Sequence, residues 1–415
     1  MERIILHSDA NSFYASVECL YRPEIRSKPV AVCGDPEERH GIVLTKNQVA
    51  KRFGIQTGEA IWQARQKCPE LVVVPPNYPL YLHFSEMLRE IYEQYSDRVE
   101  AFGLDENWLD ISQEGRSFED GVAIASEIRE RIREELGITV SIGVSDNKIF
   151  SKLGSDMKKP DATTALPQSS YEEKVWPLPV SSLLYVGRKT TKKLMQVGII
   201  TLGDLANSDT EALHSLLGKN GLTLKAFALG LDHSPVMRLT AEAALKSIGN
   251  STTPPHDIEN ADDAECIYYL LAESVSARLR AHGFTAKTLS ISIRDTELRT
   301  ASCQCQLCPP SNITDDLAKT ALCLFRARFS ASFPLRSVGL NCSSLMPDTL
   351  PRQQDLLGVS ARMDRLESLE RSLDSLRARF GHQIVQRGVV MRDKAFACVN
   401  PKEDHIIHPA AFYMG

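Results

Sequence analysis

Three acids in this sequence have the type and setting for metal chemistry. Asp9 follows the apolar run Ile4-Ile5-Leu6-His7 and precedes the small Ala10. A carboxylate at the end of a buried strand can reach into a cleft, and the next backbone carbonyl can join it as a metal ligand. A plain strand-ending aspartate that starts a turn would look the same. Asp105 and Glu106 are adjacent, in a tight connection between two strand-like stretches. Paired acids there are costly unless something positive faces them. A solvated hairpin tip is the bland alternative, but Leu104 and Trp108-Leu109 flank the pair with apolar bulk. Three carboxylates on neighbouring strands of one sheet offer hard oxygen ligands, which suit Mg²⁺ together with substrate phosphates. Two such ions about 4 Å apart can lower the pKa of an attacking hydroxyl and hold a pyrophosphate leaving group.

Basic residues fit a phosphate substrate. Lys159 stands just before Pro160, and Lys51 and Arg52 lie on a helix that starts near Lys46. Each alone reads as a solvated surface charge; around an acidic metal site they become candidates for holding a triphosphate. The run Leu184-Tyr185-Val186-Gly187-Arg188-Lys189, followed by Leu194 and Gly198-Ile199, reads either as a plain helical turn or as a hairpin between helices. Such a hairpin can grip DNA phosphates without reading sequence. Cys303, Cys305 and Cys308 lack a second half with matching spacing, so they read as strand thiols and not as a zinc site.

The elements that must position these residues follow from periodicity. A strand runs into Asp9, a helix covers Phe13 to Leu20, and strands cover Pro29 to Cys33, Ile42 to Thr45 and Leu71 to Val74. Helices are expected over Lys46 to Phe53, Glu59 to Lys67 and Tyr81 to Tyr95. Strands Arg98 to Gly103 and Trp108 to Ile111, helix Glu119 to Leu136, strand Thr139 to Val144 and a helix from Lys148 complete a βαββαβ order. That is the split pattern of a ferredoxin-like domain, with residues 13–75 inserted after its first strand. Leu183 to Pro235 carries only helical signals, Arg238 to Leu245 is a polar linker, and a strand-rich region runs from Lys246 to about Ser344. Near the end, Leu366, Leu369, Leu373, Leu376 and Phe380 form an amphipathic helical stripe stopped by Gly381.

The bulk numbers agree with a multidomain globular chain. It has 415 residues, 43% hydrophobic and 24% charged, which leaves room for real cores. No apolar run approaches the roughly 18 residues of a membrane span, and the start does not read as a signal peptide. Ten scattered cysteines are expected to be reduced thiols in a cytoplasmic protein. The net charge of −5 counts against nucleic acid as a partner, although a basic groove can sit on an acidic body.

The motifs together resemble one family. His7-Ser8-Asp9-Ala10-Asn11-Ser12-Phe13-Tyr14-Ala15-Ser16-Val17-Glu18 resembles the opening motif of the Y-family DNA polymerases, and Lys28-Pro29-Val30-Ala31-Val32, Thr45-Lys46-Asn47 and Phe53-Gly54 continue the match. Leu104-Asp105-Glu106-Asn107-Trp108-Leu109-Asp110 is similar to the family's acidic signature, and the run from Ser145 to Pro160 to its next block. Lys246-Ser247-Ile248-Gly249 resembles the start of the extra DNA-binding domain, the little finger.

The resemblance implies an α+β multidomain chain. Its parts would be a ferredoxin-like palm (1–12 and 76–165), a small fingers insertion (13–75), a helix-hairpin-helix thumb (166–236), a linker (237–245), an α+β little finger (246–346) and a tail (347–415). It implies an error-prone polymerase of low processivity that acts in translesion synthesis and DNA repair, binding primer-template DNA and dNTPs, with no membrane association and as a monomer. Asp9 and Asp105 would bind both Mg²⁺ ions, Glu106 would be the catalytic carboxylate, and Ala10 would add a carbonyl. Tyr14 would be the steric gate under the sugar, and Phe13, Thr45, Gln48, Lys51 and Lys159 would line the nucleotide. Gly187, Arg188, Lys189, Lys246 and Ser247 would meet DNA. Gln353-Gln354-Asp355-Leu356-Leu357 resembles a clamp-binding pentapeptide, with Gln353, Leu356 and Leu357 as anchors for a sliding clamp.

Several positions depart from the pattern. Asn11 stands for a second Asp, Gln48 for a Tyr and Lys51 for an Arg, and Lys cannot make the bidentate contact of Arg. Tyr185 replaces the first Gly of the hairpin, and the little-finger region has balanced charge where a basic surface is expected. Two rivals therefore stay open. One is a non-catalytic DNA-bound scaffold; the other is a nucleotide cyclase, which uses a similar palm and would need no template.

Overall fold

A computed structural model describes residues 3–35, 41–238, 245–329, 334–350 and 359–397. Gln353, Leu356 and Leu357 of the clamp-like motif, and residues 239–244 of the linker, lie outside the described residues. No helix among the described residues is long and apolar enough to cross a membrane. The chain forms two compact units, divided within the linker region.

The first unit opens with β1 (Ile5–Ala10) and α1 (Phe13–Tyr21). The inserted piece follows as β2 (Val30–Cys33), β3 (Val43–Lys46), α2 (Gln48–Lys51), α3 (Ile61–Lys67) and β4 (Val72–Val74). Its three strands make their own sheet, in the order β3-β2-β4. The helix expected from Lys46 is shorter than its sequence signal, because Lys46 still pairs with Ala31 in the sheet and Asn47 caps the helix. Then come α4 (Tyr78–Glu93), β5 (Val99–Ala101), β6 (Glu106–Asp110), α5 (Phe118–Leu136), β7 (Val140–Ser145), α6 (Lys148–Met157) and β8 (Thr163–Leu166).

The main sheet has the order β5-β6-β1-β7-β8. Its first four strands give the ferredoxin-like arrangement; β8, parallel to β7, extends the edge beyond what periodicity indicates. Local chemistry sets the helix limits. Ser117 and Asp120 form a capping box at the start of α5, and Gly137, at φ 70°, ends it in the left-handed region that favours glycine. Residues of α4 and α5, including Leu88, Ile91, Ile128 and Ile132, bury against Leu6, Leu109 and Val144 of the sheet.

Helix α6 lies unusually close to β7. A Cβ at Gly143 would fall 1.9 Å from the Ser151 carbonyl oxygen and 2.5 Å from the Ser155 nitrogen. Only a residue without a side chain lets the helix backbone rest on the strand there. Four short helices complete the unit: α7 (Arg188–Gln196), α8 (Leu202–Asn207), α9 (Thr210–Leu217) and α10 (Lys219–Ala228).

The second unit holds β9 (Ser247–Thr252), α11 (Ala261–Ala281), β10 (Phe284–Asp295), β11 (Thr300–Ser311), α12 (Thr314–Arg328), β12 (Leu335–Pro347) and α13 (Val359–Phe380). Its sheet order is β11-β10-β12-β9. One face carries Leu289, Ile291, Leu340 and Ile248 into a core with Leu271, Val275, Leu317 and Phe325 of α11 and α12. The helix over Thr314 to Arg328 matches its apolar pattern, whereas α11 has no clear sequence signal: it is buried nearly all round, including the charged Glu273 and Arg280.

Those two charges decide how α13 docks. Arg280 donates to both oxygens of Asp374, at 2.7 and 2.9 Å, and Arg377 and Arg387 pair with Glu273 at 2.8 and 3.0 Å. Thr314 donates to Glu370 at 2.9 Å. Buried charges of this kind must be paired, so α13 turns its polar side inward. The leucine stripe is not the docking face.

Candidate active site

Register brings the acids together. Asp9 pairs with Glu106 across β1 and β6, and the Ala10 amide donates to the Asp105 carbonyl at 2.9 Å. The tight connection before β6 thus places Asp105 and Glu106 beside the end of β1, as the sequence indicates. Asp105 keeps partial access to solvent, yet burial, reinforced by the charges of Asp9 and Glu106, pushes its carboxyl up to about 7. Glu106 behaves oppositely. Burial would raise it too, but His7 and the Lys152 ammonium outweigh that and hold it at about 2. Two neighbouring acids with ionisations pushed apart are a mark of functional sites.

Lys152 is the residue that the sequence reading missed. Its ammonium is buried on α6, 2.9 Å from Glu106, 3.2 Å from Asp9 and 3.3 Å from Asp156. Lys159 adds a second cation, 2.8 Å from both Asp9 and Asp156. Burial disfavours both ammoniums, but the surrounding carboxylates outweigh it and raise their pKa values. The signal was present: α6 is buried from Lys148 to Ser155 and still carries two lysines. The other, Lys148, pairs with Glu100 at 2.6 Å and lies over the Trp108 ring. His7, fully buried, stands 3.4 Å from Glu106 and 2.8 Å from the Ser155 hydroxyl.

Asn11 has a structural task where an acid was the pattern. Its Oδ1 accepts from the Asp161 amide at 2.8 Å and from Thr139 at 3.1 Å, while its amide donates to Ser141. It therefore ties the segment just after Lys159 to β1 and β7.

Tyr14 lies on the first turn of α1, just after the strand that carries Asp9, with its ring stacked on Tyr81 at 4.2 Å and 9°. The Tyr81 hydroxyl donates to Glu18 at 2.7 Å, so the wall behind Tyr14 is fixed. Burial, together with the Asp105 charge, pushes the Tyr14 phenol up to about 12, which places the ring within the electrostatic reach of the acids. Lys51 is lowered by burial and by Lys46 and Lys159, and it feels Asp9. Cations of the inserted piece and of the main sheet thus converge on one place. Thr45 and Gln48 are half-buried at the adjoining ends of β3 and α2. Phe13 is not brought to the surface; its side chain is buried against Tyr14 and Tyr81.

Gly187 caps α7, and Arg188 and Lys189 are exposed on its first turn, with Lys192 and Lys193 on the next. Tyr185 has φ 69°. Tyr185 thus sits in the left-handed region that a glycine would occupy without strain. Lys246, just before β9, and Ser247, its first residue, are exposed.

The open face of the second sheet is mostly neutral and polar, with the exposed Arg294 in the row of Thr300 and Ser337 at one end. Across it run the rows Gln304-Ser290-Asn341-Gly249 and Ser302-Ser292-Gly339-Ser251. Gln306, Thr288, Ser343 and Ser247 make a third.

The acids fit divalent ions in a particular way. Among the described residues, no group of three His, Cys, Asp or Glu side chains is close enough to form a ready-made metal cage. Glu106 Oε2 is buried and met by Lys152 at 2.9 Å, in the place of a counter-cation, and Asp9 and Asp105 lie beside it. Hard ions that take one or two carboxylates and complete their shell with water and phosphates suit such a set.

Comparison with known proteins gives a consistent result. Residues 8–156 match the model of the impB/mucB/samB family, and residues 245–356 match that family's C-terminal domain. DNA polymerase IV of Acetivibrio thermocellus is 50% identical over 394 residues, covering 95% of this chain and 99% of that protein. DNA polymerase IV 1 of Bacillus subtilis is 37% identical over 391 residues, covering 94% of each. Among solved structures, a Y-family DNA polymerase chimera superposes with a TM-score of 0.73 at 24% identity, over 83% of this chain and 99% of that one.

Proposed function

Since the chain belongs to the impB/mucB/samB family and is a Y-family DNA polymerase, we propose that it performs error-prone, poorly processive translesion synthesis with two Mg²⁺ ions at Asp9, Asp105 and Glu106. The fold has the palm, fingers, thumb and little finger of that family, and Y-family polymerases are metal-dependent. The carrying observation is the acidic cluster with its buried lysines beside the stacked Tyr14.

Asp9, Ala10, Asp105 and Glu106 would hold the ions, which supply charge neutralisation at the reacting phosphate and acidify the primer 3′-hydroxyl. Asp105 would meet the ions as a carboxylate, its proton released to solvent. Lys159 leaves Asp9 and turns its ammonium to the triphosphate, joined by Lys51, Thr45 and Gln48. Tyr14, backed by Tyr81, lies under the sugar and excludes a 2′-hydroxyl by steric collision. Arg188 and Lys189, beyond Gly187, meet backbone phosphates. Lys246, Ser247 and the mostly neutral, hydroxyl-lined little-finger face follow the duplex with little charge, which accords with weak, distributive binding.

Primer extension on undamaged and lesion-bearing templates tests this reading. Template-dependent extension across a lesion is expected with Mg²⁺. A protein that binds primer-template but extends neither template is the scaffold; turnover without template is the cyclase. We also place the protein in the cytoplasm as a monomer that docks a sliding clamp through Gln353, Leu356 and Leu357. Replacing those three by Ala should abolish clamp stimulation and leave distributive synthesis unchanged; equal stimulation of both forms would make the motif a linker.

A further inference from the structure

Helix α13 exposes what an amphipathic helix normally buries. Leu366, Leu369, Leu373, Leu376 and Phe380 recur at spacings of three and four, the seam of a heptad coiled coil. Glu370, Asp374 and Arg377 are the residues bound to the little-finger core helix and its neighbours. Leu369, Leu376 and Phe380 are 54%, 40% and 59% exposed, and Leu366 and Leu373 are half-buried beside them. Removing an apolar seam from water is favourable, so a partner helix lying along it gains free energy without disturbing the docked side.

The charges beside the seam select the partner. With Leu366 and Leu373 as the a positions, Arg365 and Arg379 occupy g, both exposed. An antiparallel second copy would set Arg365 against the other copy's Arg379, which is repulsive. A parallel copy would need Glu370 for Arg365, and Glu370 is already buried against Thr314 and Arg387. Pairing between two copies is therefore disfavoured in both directions. We infer that the seam of α13 binds one amphipathic helix of another protein, with leucine or isoleucine along its seam and acidic residues facing Arg365 and Arg379.

The probe is a fluorescein-labelled helical peptide with leucine at a and d and glutamate at e and g, titrated with the full chain and read by anisotropy. Saturable micromolar binding is expected. The exposed double variant Leu369→Ser with Leu376→Ser should bind about tenfold more weakly or worse, with unchanged circular dichroism. Arg365→Glu with Arg379→Glu should prefer a twin peptide carrying lysine in place of glutamate, a reversal that a merely sticky surface would not show. Equal binding of both peptides by the parent overturns the inference. So does a parent dimer in sedimentation that the serine variant dissolves, because the occupant would then be a second copy. Binding that appears only after removal of residues 398–415 would show that the chain covers its own seam.

Discussion

The palm and the little finger each have a sheet that would face a substrate, and the two carry opposite chemistry. At the palm, Asp9 and Glu106 pair directly with two lysines, and Asp105 stands beside them. On the little finger, serine, threonine, asparagine, glutamine and glycine cover three successive open rows, and the single charge in line with them, Arg294, stands at the end of the sheet. The difference teaches where electrostatic energy is spent. Charge concentrated in a partly desolvated cleft acts strongly on a reacting phosphate; hydroxyls on an open face can touch a duplex in many registers without fixing any of them.

The sharpest way to break that contrast is to remove charge from the palm. Asp105→Asn should lower extension by roughly 10³-fold or more while leaving primer-template affinity nearly unchanged; near-normal single-turnover extension would sink the assignment. The same variant carries a signature in pH. Burial raises the Asp105 carboxyl from 3.8 to about 7, so the folded metal-free chain holds that proton more tightly than the unfolded chain. Its contribution to stability is fully present below 3.8 and is lost as the pH rises through about 7. Thermal melts of the chelated parent should fall over that window, and those of Asp105→Asn should fall less.

Second in size is the countercharge. Lys152→Met leaves buried carboxylates without their partner and should cost about 3–5 kcal/mol of stability in urea unfolding with chelator present. Added Mg²⁺ should recover more stability in this variant than in the parent, since the ion replaces the missing positive charge. Identical recovery in both would mean that Lys152 is unconnected to the ion site.

Shape comes next. Tyr14→Ala should raise ribonucleotide insertion roughly tenfold or more relative to deoxyribonucleotide insertion, whereas Tyr14→Phe should match the parent because the ring does the excluding. Unchanged discrimination by Tyr14→Ala in matched insertion assays would move the gate elsewhere. The smallest effect belongs to the neutral face. Lys189→Ala should reduce the slope of log affinity against log salt by about 0.9, one phosphate contact. Ser290→Ala with Ser292→Ala should leave that slope unaltered, and a clear change would show that the little finger reads phosphate charge after all.

What the sequence disclosed follows the range of the interactions involved. Asp9, Asp105 and Glu106 stand in short runs whose strand ends and tight connection are encoded locally, so their convergence was legible. Lys152 was not, because its meaning depends on partners on other strands. Helix α11 escaped periodicity because it has no solvent face to leave a pattern, and its buried Glu273 and Arg280 look like surface residues until α13 is in place. The little-finger strands run longer than their apolar signal, because serine and glutamine fill the outer positions and cysteine several inner ones. Tyr185 stands where the pattern has a glycine, and the sequence alone did not disclose that its backbone takes the left-handed turn.

Gly143 carries a consequence for how this active site can be altered. A single added methyl would strike the backbone of α6 at Ser151 and Ser155, lifting the helix that carries Lys152 away from β7. Random mutagenesis should find no tolerated replacement there, while the rim contributed by Thr45, Gln48 and Lys51 remains open to exchange. A laboratory that evolves this polymerase for unusual nucleotides should place its diversity on that rim and hold the strand behind Lys152 constant.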